Sequence, residues 1–212
     1  MKWPEFLRLL GGATLFDAAV LLAGPDPPAE VRRQLSRWVA SGRLIQLRRG
    51  LYVLAPPFAR TLPNVLAIAV RLRKPSYVSL QSALSYHGAI PESVPAVTCV
   101  TTGRPGRLET PLGEFIYRHL RPGFFWGYGE VEVGGGEGAY VALPEKALLD
   151  LFYLTPGAIR SSFVRELRLA SGAMNSQRLR QFAKRTAKPK LIRAAALTSR
   201  VLDKERKGEA LL

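Results

Sequence analysis

Trp3, Phe6, Leu7 and Leu10 recur at helical spacing, and Gly11-Gly12 closes the run, so a short amphipathic helix is predicted there. Thr14 then stands as an N-cap for a second predicted helix carrying Leu15, Ala18, Ala19 and Leu22, which must stop before Gly24-Pro25-Asp26-Pro27-Pro28. A third helix starts near Pro28 or Ala29. Its apolar stripe is Val31, Leu35, Trp38 and Val39; Arg33, Arg37 and Ala40 lie opposite, with Arg32 and Ser36 at the flank. Gly42 ends it. Leu44, Ile45 and Leu47, then Leu51 to Leu54, read as two strands joined at Arg48-Arg49-Gly50, a hairpin with two arginines at its tip. Three helices followed by a basic hairpin predict a winged helix-turn-helix.

Ala55-Pro56-Pro57 reads as an extended linker, because paired prolines suit such a connection. This divides the chain into 1–56 and 57–212. In the second part an apolar helix from about Asn64 to Leu72 precedes another over Leu80 to His87, with Ser79 as its N-cap and Gly88 at its end. Ala96 to Thr102, Gly113 to His119, Tyr128 to Val133 and Ala139 to Leu143 are short, β-branched or aromatic runs between Gly and Pro, which predicts a small antiparallel sheet. Pro144 opens a helix through Ala147, Leu148, Leu151 and Phe152, and helical segments follow at about 159–169, 176–186 and 189–207. The expected fold class is α+β: a winged helix, then a mixed α/β domain with a basic helical extension from about residue 156.

Charge changes the picture. The chain carries 31 Lys+Arg against 16 Asp+Glu, a net +15, and residues 1–56 hold +4, 57–155 hold +1 and 156–212 hold +10. Such an excess points to a polyanion, first of all nucleic acid. One cysteine, Cys99, forms no internal disulfide, and with His87 and His119 as the imidazoles the common zinc patterns are missing, so neither a metal nor a cofactor is expected. No apolar stretch has the length of a membrane span and Trp3-Pro4-Glu5 opens no signal sequence, so a cytoplasmic protein away from membranes is expected.

A winged helix places its third helix in the major groove, where base edges differ, and its hairpin on the backbone or minor groove. On that reading Arg32, Arg33, Ser36 and Arg37 face the groove, and Arg43, Arg48 and Arg49 meet the backbone or form the wing tip. Trp38 and Tyr52 are expected in the core. Arg178, Arg180, Lys184, Arg185, Lys188, Lys190 and Arg193 fall within sixteen residues and form a candidate second nucleic-acid surface.

Catalytic readings are weaker. Glu145, Lys146 and Asp150 lie on one predicted helix rather than on neighbouring strands around a metal, and Glu145 fits the acidic preference of a first helical turn. Glu130 and Glu132 share one strand face, expected to be solvated. His87 suits a helix C-terminal cap better than a base for Ser79, Ser82 or Ser85, and His119 lies beside Arg118 and Arg121. Gly103-Arg104-Pro105-Gly106-Arg107 lacks the Walker lysine-serine pair and reads as an exposed basic loop; Gly134-Gly135-Gly136 is a turn between strands. Cys99 sits in an apolar strand where a thiol is inert. No catalytic residue is assigned.

Two runs resemble a known family. Pro75-Ser76-Tyr77-Val78-Ser79-Leu80-Gln81-Ser82-Ala83-Leu84-Ser85-Tyr86-His87-Gly88 and Leu143-Pro144-Glu145-Lys146-Ala147-Leu148-Leu149-Asp150-Leu151 are similar to segments of the AbiEi antitoxins of abortive infection, as is the hairpin Arg48-Arg49-Gly50-Leu51-Tyr52 in its place before them. The resemblance covers most of 14–155; the basic tail matches only in general character. It implies a transcriptional autorepressor that binds its own operator as double-stranded DNA. It also implies the antitoxin of a type IV toxin-antitoxin system, which neutralises a nucleotidyltransferase-like toxin without requiring a stable complex. Two alternatives stay open on the residues alone: a winged-helix repressor whose second domain senses a ligand, and a nuclease targeted by the winged helix and dependent on Glu130 or Glu145.

Overall fold

The computed structural model describes the chain except Arg60, Ser93, Gly135, Gly136 and residues 210–212, and the side chains of Ser171 and residues 205–209. The N-terminal elements are α1 (Trp3–Leu10), β1 (Leu15–Asp17), α2 (Ala19–Leu22), α3 (Pro28–Ala40), β2 (Leu44–Arg48) and β3 (Leu51–Leu54). The three strands form an antiparallel sheet in the order β1-β3-β2. The helix expected from Leu15 is corrected here. Leu15 and Phe16 are both buried and pair with Val53 and Tyr52, so this segment is a strand with both faces covered, and the helix begins at Ala19, whose N–H donates to Asp17 Oδ1 at 2.9 Å. Two adjacent apolar residues fit helix and buried strand equally well by pattern.

Phe6, Phe16, Leu21, Val31, Leu35, Trp38, Leu44 and Leu54 pack as one cluster. At its centre Trp38 is 3% exposed, with ring centroids 4.7 Å from Phe6 and 4.9 Å from Trp3. Tyr52 is half-buried and stacks on Phe16. The expected extended linker is instead a turn folded onto this cluster: Phe58 N–H and Ala59 N–H donate to Ala55 O, Ala59 is buried, and Phe58 packs edge-on against Trp3.

The remainder comprises α4 (Val65–Leu72), β4 (Ser76–Val78), α5 (Leu80–Tyr86), β5 (Val97–Thr101), β6 (Gly106–Thr110), β7 (Gly113–His119), β8 (Tyr128–Glu132), β9 (Gly138–Ala142), α6 (Pro144–Leu154), α7 (Ser161–Glu166), α8 (Ser176–Arg185) and α9 (Pro189–Glu209). The fold class is α+β. The second sheet is not the small antiparallel one expected. It has six strands in the order β6-β7-β5-β4-β9-β8, with β5/β7 and β4/β9 parallel. Two strands lacked a readable signal. β4 has three residues, all buried, so no alternation marks it. β6 is an edge strand whose Arg107 and Glu109 are exposed; it starts inside the segment read as a basic loop.

The N-terminal sheet is joined to the larger core. Leu15, Leu47, Leu51 and Val53 pack with the buried residues of α4, the six-stranded sheet and α6. Polar bonds support the seam: Arg71 Nη1 donates to Leu15 O at 3.1 Å, while Glu137 accepts from Thr14 Oγ1 at 3.0 Å and from Asn64 N at 3.1 Å. Among the described residues no helix is long and apolar enough to cross a membrane.

Candidate nucleic-acid interface

α3 is positioned by its apolar stripe. Burying Val31, Leu35 and Trp38 turns Arg32, Arg33, Ser36 and Arg37 outward, and all four are exposed. Among the described residues none of the three guanidiniums has a hydrogen bond or ion pair; Ser36 Oγ donates to Arg32 O. Arg33 and Arg37, one turn apart, line a pocket of about 270 Å³ with Asp26 and Glu30. Asp26 is partly neutralised by the Met1 amine at 3.3 Å. The outer face of α3 thus presents planar cations whose fork geometry matches guanine O6/N7 or phosphate.

The other residues expected at this interface are placed differently. Arg48 is not a free wing-tip cation: its Nε donates to Leu72 O at 3.0 Å and its Nη2 to Arg71 O at 3.4 Å, fastening the hairpin to the C-terminal end of α4. Those carbonyls are the unsatisfied ones that every helix leaves at its end. Arg43 is half-buried, with its guanidinium 5.3 Å from the Trp3 ring centroid. Arg49 remains exposed at the tip. Arg73, directly after α4, donates Nη1 to Arg104 O in the loop read as exposed and basic, and its guanidinium lies 5.0 Å from the Tyr117 ring centroid. Arg73 is half-buried with its guanidinium so engaged, whereas Arg104 is exposed. No local pattern connects residues 73 and 104.

The C-terminal basic residues do not form one free face. Arg178 reaches Glu145 with Nε to Oε2 at 2.9 Å and Nη2 to Oε1 at 3.1 Å. Glu145 is fully buried and also accepts from Asn175 N at 2.7 Å, so it ties α6 to the start of α8 instead of merely facing a helix dipole. Arg185 lies 4.2 Å from the Trp126 ring centroid, and Lys190 Nζ donates to Thr155 O. Burial pulls the Lys190 ammonium below its ordinary value. Arg180, Lys184, Lys188 and Arg193 stay exposed.

Lys146 and Asp150 of α6 form a separate buried network. Lys146 and Asp150 are each 1% exposed and ion-paired one turn apart. Tyr77 Oη accepts from Lys146 Nζ at 2.8 Å and donates to Asp150 Oδ2 at 2.9 Å, where Ser79 Oγ also donates at 2.8 Å. Burial pushes the Lys146 ammonium down and the Asp150 carboxyl up, and each is held back by the charge and hydrogen bonds of its partner. Enclosed beneath Trp126 and Tyr77, the pair joins α6 to β4. His87, at the end of α5, bonds through Nε2 to Ala142 O at 2.9 Å, and burial pushes the Cys99 thiol up. Among the described residues no three His, Cys, Asp or Glu side chains are grouped to hold a metal.

No family model matches the chain, and no curated protein does. Among solved structures, the crystal structure of the RV2827C protein from Mycobacterium tuberculosis is similar, with a TM-score of 0.51 and 13% identity over 92% of this chain and 80% of that one. What the two share is the fold. The superposition extends over nearly the whole chain, so the likeness is not confined to one common motif.

Proposed function

We propose that this protein is a DNA-binding transcriptional regulator whose N-terminal unit works as a winged helix, with α3 in the major groove. The observation that carries the reading is the outer face of α3: three arginines without intramolecular partners among the described residues, on a helix whose opposite stripe is anchored in an aromatic cluster. Rigid presentation of that kind is what base readout needs. Arg49, exposed at the hairpin tip, supplies a backbone contact, which orients the protein without reading sequence. With the resemblance of residues 75–88 and 143–151 to AbiEi antitoxins, the proposal extends to repression of the protein's own operon and to antagonism of a nucleotidyltransferase-like toxin in the cytoplasm.

The test is fluorescence anisotropy with the DNA upstream of the gene and a scrambled fragment at two salt concentrations. The expected result is preference for the native fragment, lost in Arg33→Ala with Arg37→Ala, since each bidentate arginine is worth about 1 to 3 kcal/mol of discrimination. Equal, salt-sensitive binding of both fragments by the parent protein would remove sequence-specific repression. The antitoxin half is tested separately by co-expression with the product of the adjacent gene: relief of growth arrest supports it, and undiminished arrest with the chain present removes it.

A further inference from the structure

Beside the seam between the two sheets lies a cleft of about 820 Å³, within the size range of small-molecule sites. One wall is the β8/β9 ribbon. Residues 128, 130 and 132 alternate onto one face and pair with 142, 140 and 138, so Tyr128, Glu130 and Tyr140 share that face, with Glu130 directly opposite Tyr140. Gly138 completes it: a Cβ there would stand 2.6 Å from the Glu130 carboxylate, so glycine leaves that carboxylate its room against the strand. Tyr128 is backed by buried Tyr77, rings 4.3 Å apart and 20° from parallel, and Tyr140 meets it edge-on at 5.9 Å and 81°. The two rings make a corner, and Tyr140 is 44% exposed. Cations line the other wall: Lys74, exposed after α4, and Arg71, which spends Nη1 on Leu15 O.

We propose that this cleft binds a nucleotide: the base against the tyrosine corner, its amino group donating to Glu130, and the phosphate held by Lys74 and Arg71. Each part follows from chemistry on the cleft walls. An aromatic platform accepts any base through its π-face. A carboxylate is an acceptor only, so it favours guanine, whose N1–H and amino group donate side by side, over uracil, which offers the single N3–H between two carbonyl acceptors. The ammonium and guanidinium supply the opposite charge for phosphate. The same chemistry is offered by a free mononucleotide and by an unpaired nucleotide in a strand. The site is independent of the α3 face, so it stands or falls apart from the DNA reading.

Isothermal titration of the full chain with 5′-mononucleotides, the corresponding nucleosides, inorganic phosphate and a short single-stranded oligonucleotide tests it. Saturable binding of mononucleotides is expected, with nucleosides and inorganic phosphate each at least about tenfold weaker. Tyr140→Ala should weaken binding about tenfold, in the range found for removing a base-stacking ring. Tyr140→Phe should retain it, Lys74→Ala should lose about tenfold, and Glu130→Gln should erase the preference against uracil. Both Tyr140 and Lys74 are exposed, and melting curves identify any variant that has lost its fold. Tighter binding of the mononucleotide than of the oligonucleotide assigns a free ligand, and the reverse assigns a strand, provided Tyr140→Ala weakens it. Absence of saturable binding at millimolar nucleotide, phosphate binding as tight as nucleotide, or affinities unchanged in both Tyr140→Ala and Lys74→Ala would overturn the proposal.

Discussion

Replacing Asp150 by alanine isolates the energetics of the buried network. Lys146 would keep Tyr77 Oη as its one side-chain hydrogen-bond partner among the described residues, in surroundings that admit almost no water. An ammonium left in that position escapes by releasing its proton. At neutral pH that escape costs about 4 to 5 kcal/mol, the distance from an ordinary lysine value of about 10.4 down to pH 7 at about 1.4 kcal/mol per pH unit. The figure agrees with the roughly 3 to 5 kcal/mol usual for removing one partner of a buried ion pair. Loss of an acceptor for Ser79 Oγ adds about 1 kcal/mol. The pH dependence is the sharper signature. In the variant the folded state has released the lysine proton and the unfolded chain has kept it, so the unfolded state binds more protons and stability rises with pH. The deficit relative to the parent should shrink by about 1.4 kcal/mol per unit between about pH 7 and pH 9. Urea denaturation followed by far-UV circular dichroism at three pH values measures it. A loss under about 1 kcal/mol, or one that stays constant across that range, would show that Lys146 is not held as a charged, desolvated partner of Asp150.

Two further perturbations separate structural from DNA-facing roles. Arg48→Ala should cost about 1 to 2 kcal/mol, because the hairpin loses its bonds to the end of α4. Arg49→Ala should leave stability within about 0.5 kcal/mol while lowering the salt slope of DNA binding by about 0.9. Thermal melting and salt-titrated anisotropy of both variants check the pair, and a stability loss at Arg49 with none at Arg48 would reverse the assignment. Gly127→Ala should cost about 2 to 4 kcal/mol: strain at positive φ is joined by crowding in a packed interior. Here φ is +75° and the added Cβ would stand 3.0 Å from Lys146 Cγ, on a side chain that Asp150 keeps from moving away. An unchanged urea midpoint would mean that Lys146 yields freely.

Much of the N-terminal unit was legible because its signals are local. The stripe Val31, Leu35, Trp38 specifies both the existence of α3 and the face it turns outward, and Gly50, at φ +84°, fixes where β2 and β3 reverse. The same holds for β5, β7, β8, β9 and α6, whose periodicity or β-branched content stands clear of the flanking Gly and Pro. β1 was misread because Leu15-Phe16 is apolar on both faces, and such a pair becomes helix or strand according to what covers it, here β3 on its edge and a separate core on each side.

The site divides along the same line. Sequence alone determined that Arg32, Arg33, Ser36 and Arg37 share an outward helical face, since 3.6-residue periodicity settles the direction of a side chain relative to its own helix. It determined the spacing of Lys146 and Asp150, but not their burial. Only the tertiary structure decided which cations are free: Arg48 is taken up by carbonyls 23 and 24 residues away, Arg178 by Glu145 33 residues away, and Asp150 is satisfied by Tyr77 and Ser79 from β4 and its end. A charge has no periodicity of its own. Its role depends on whether a distant segment brings a partner and excludes water, and that is decided by packing across the whole chain.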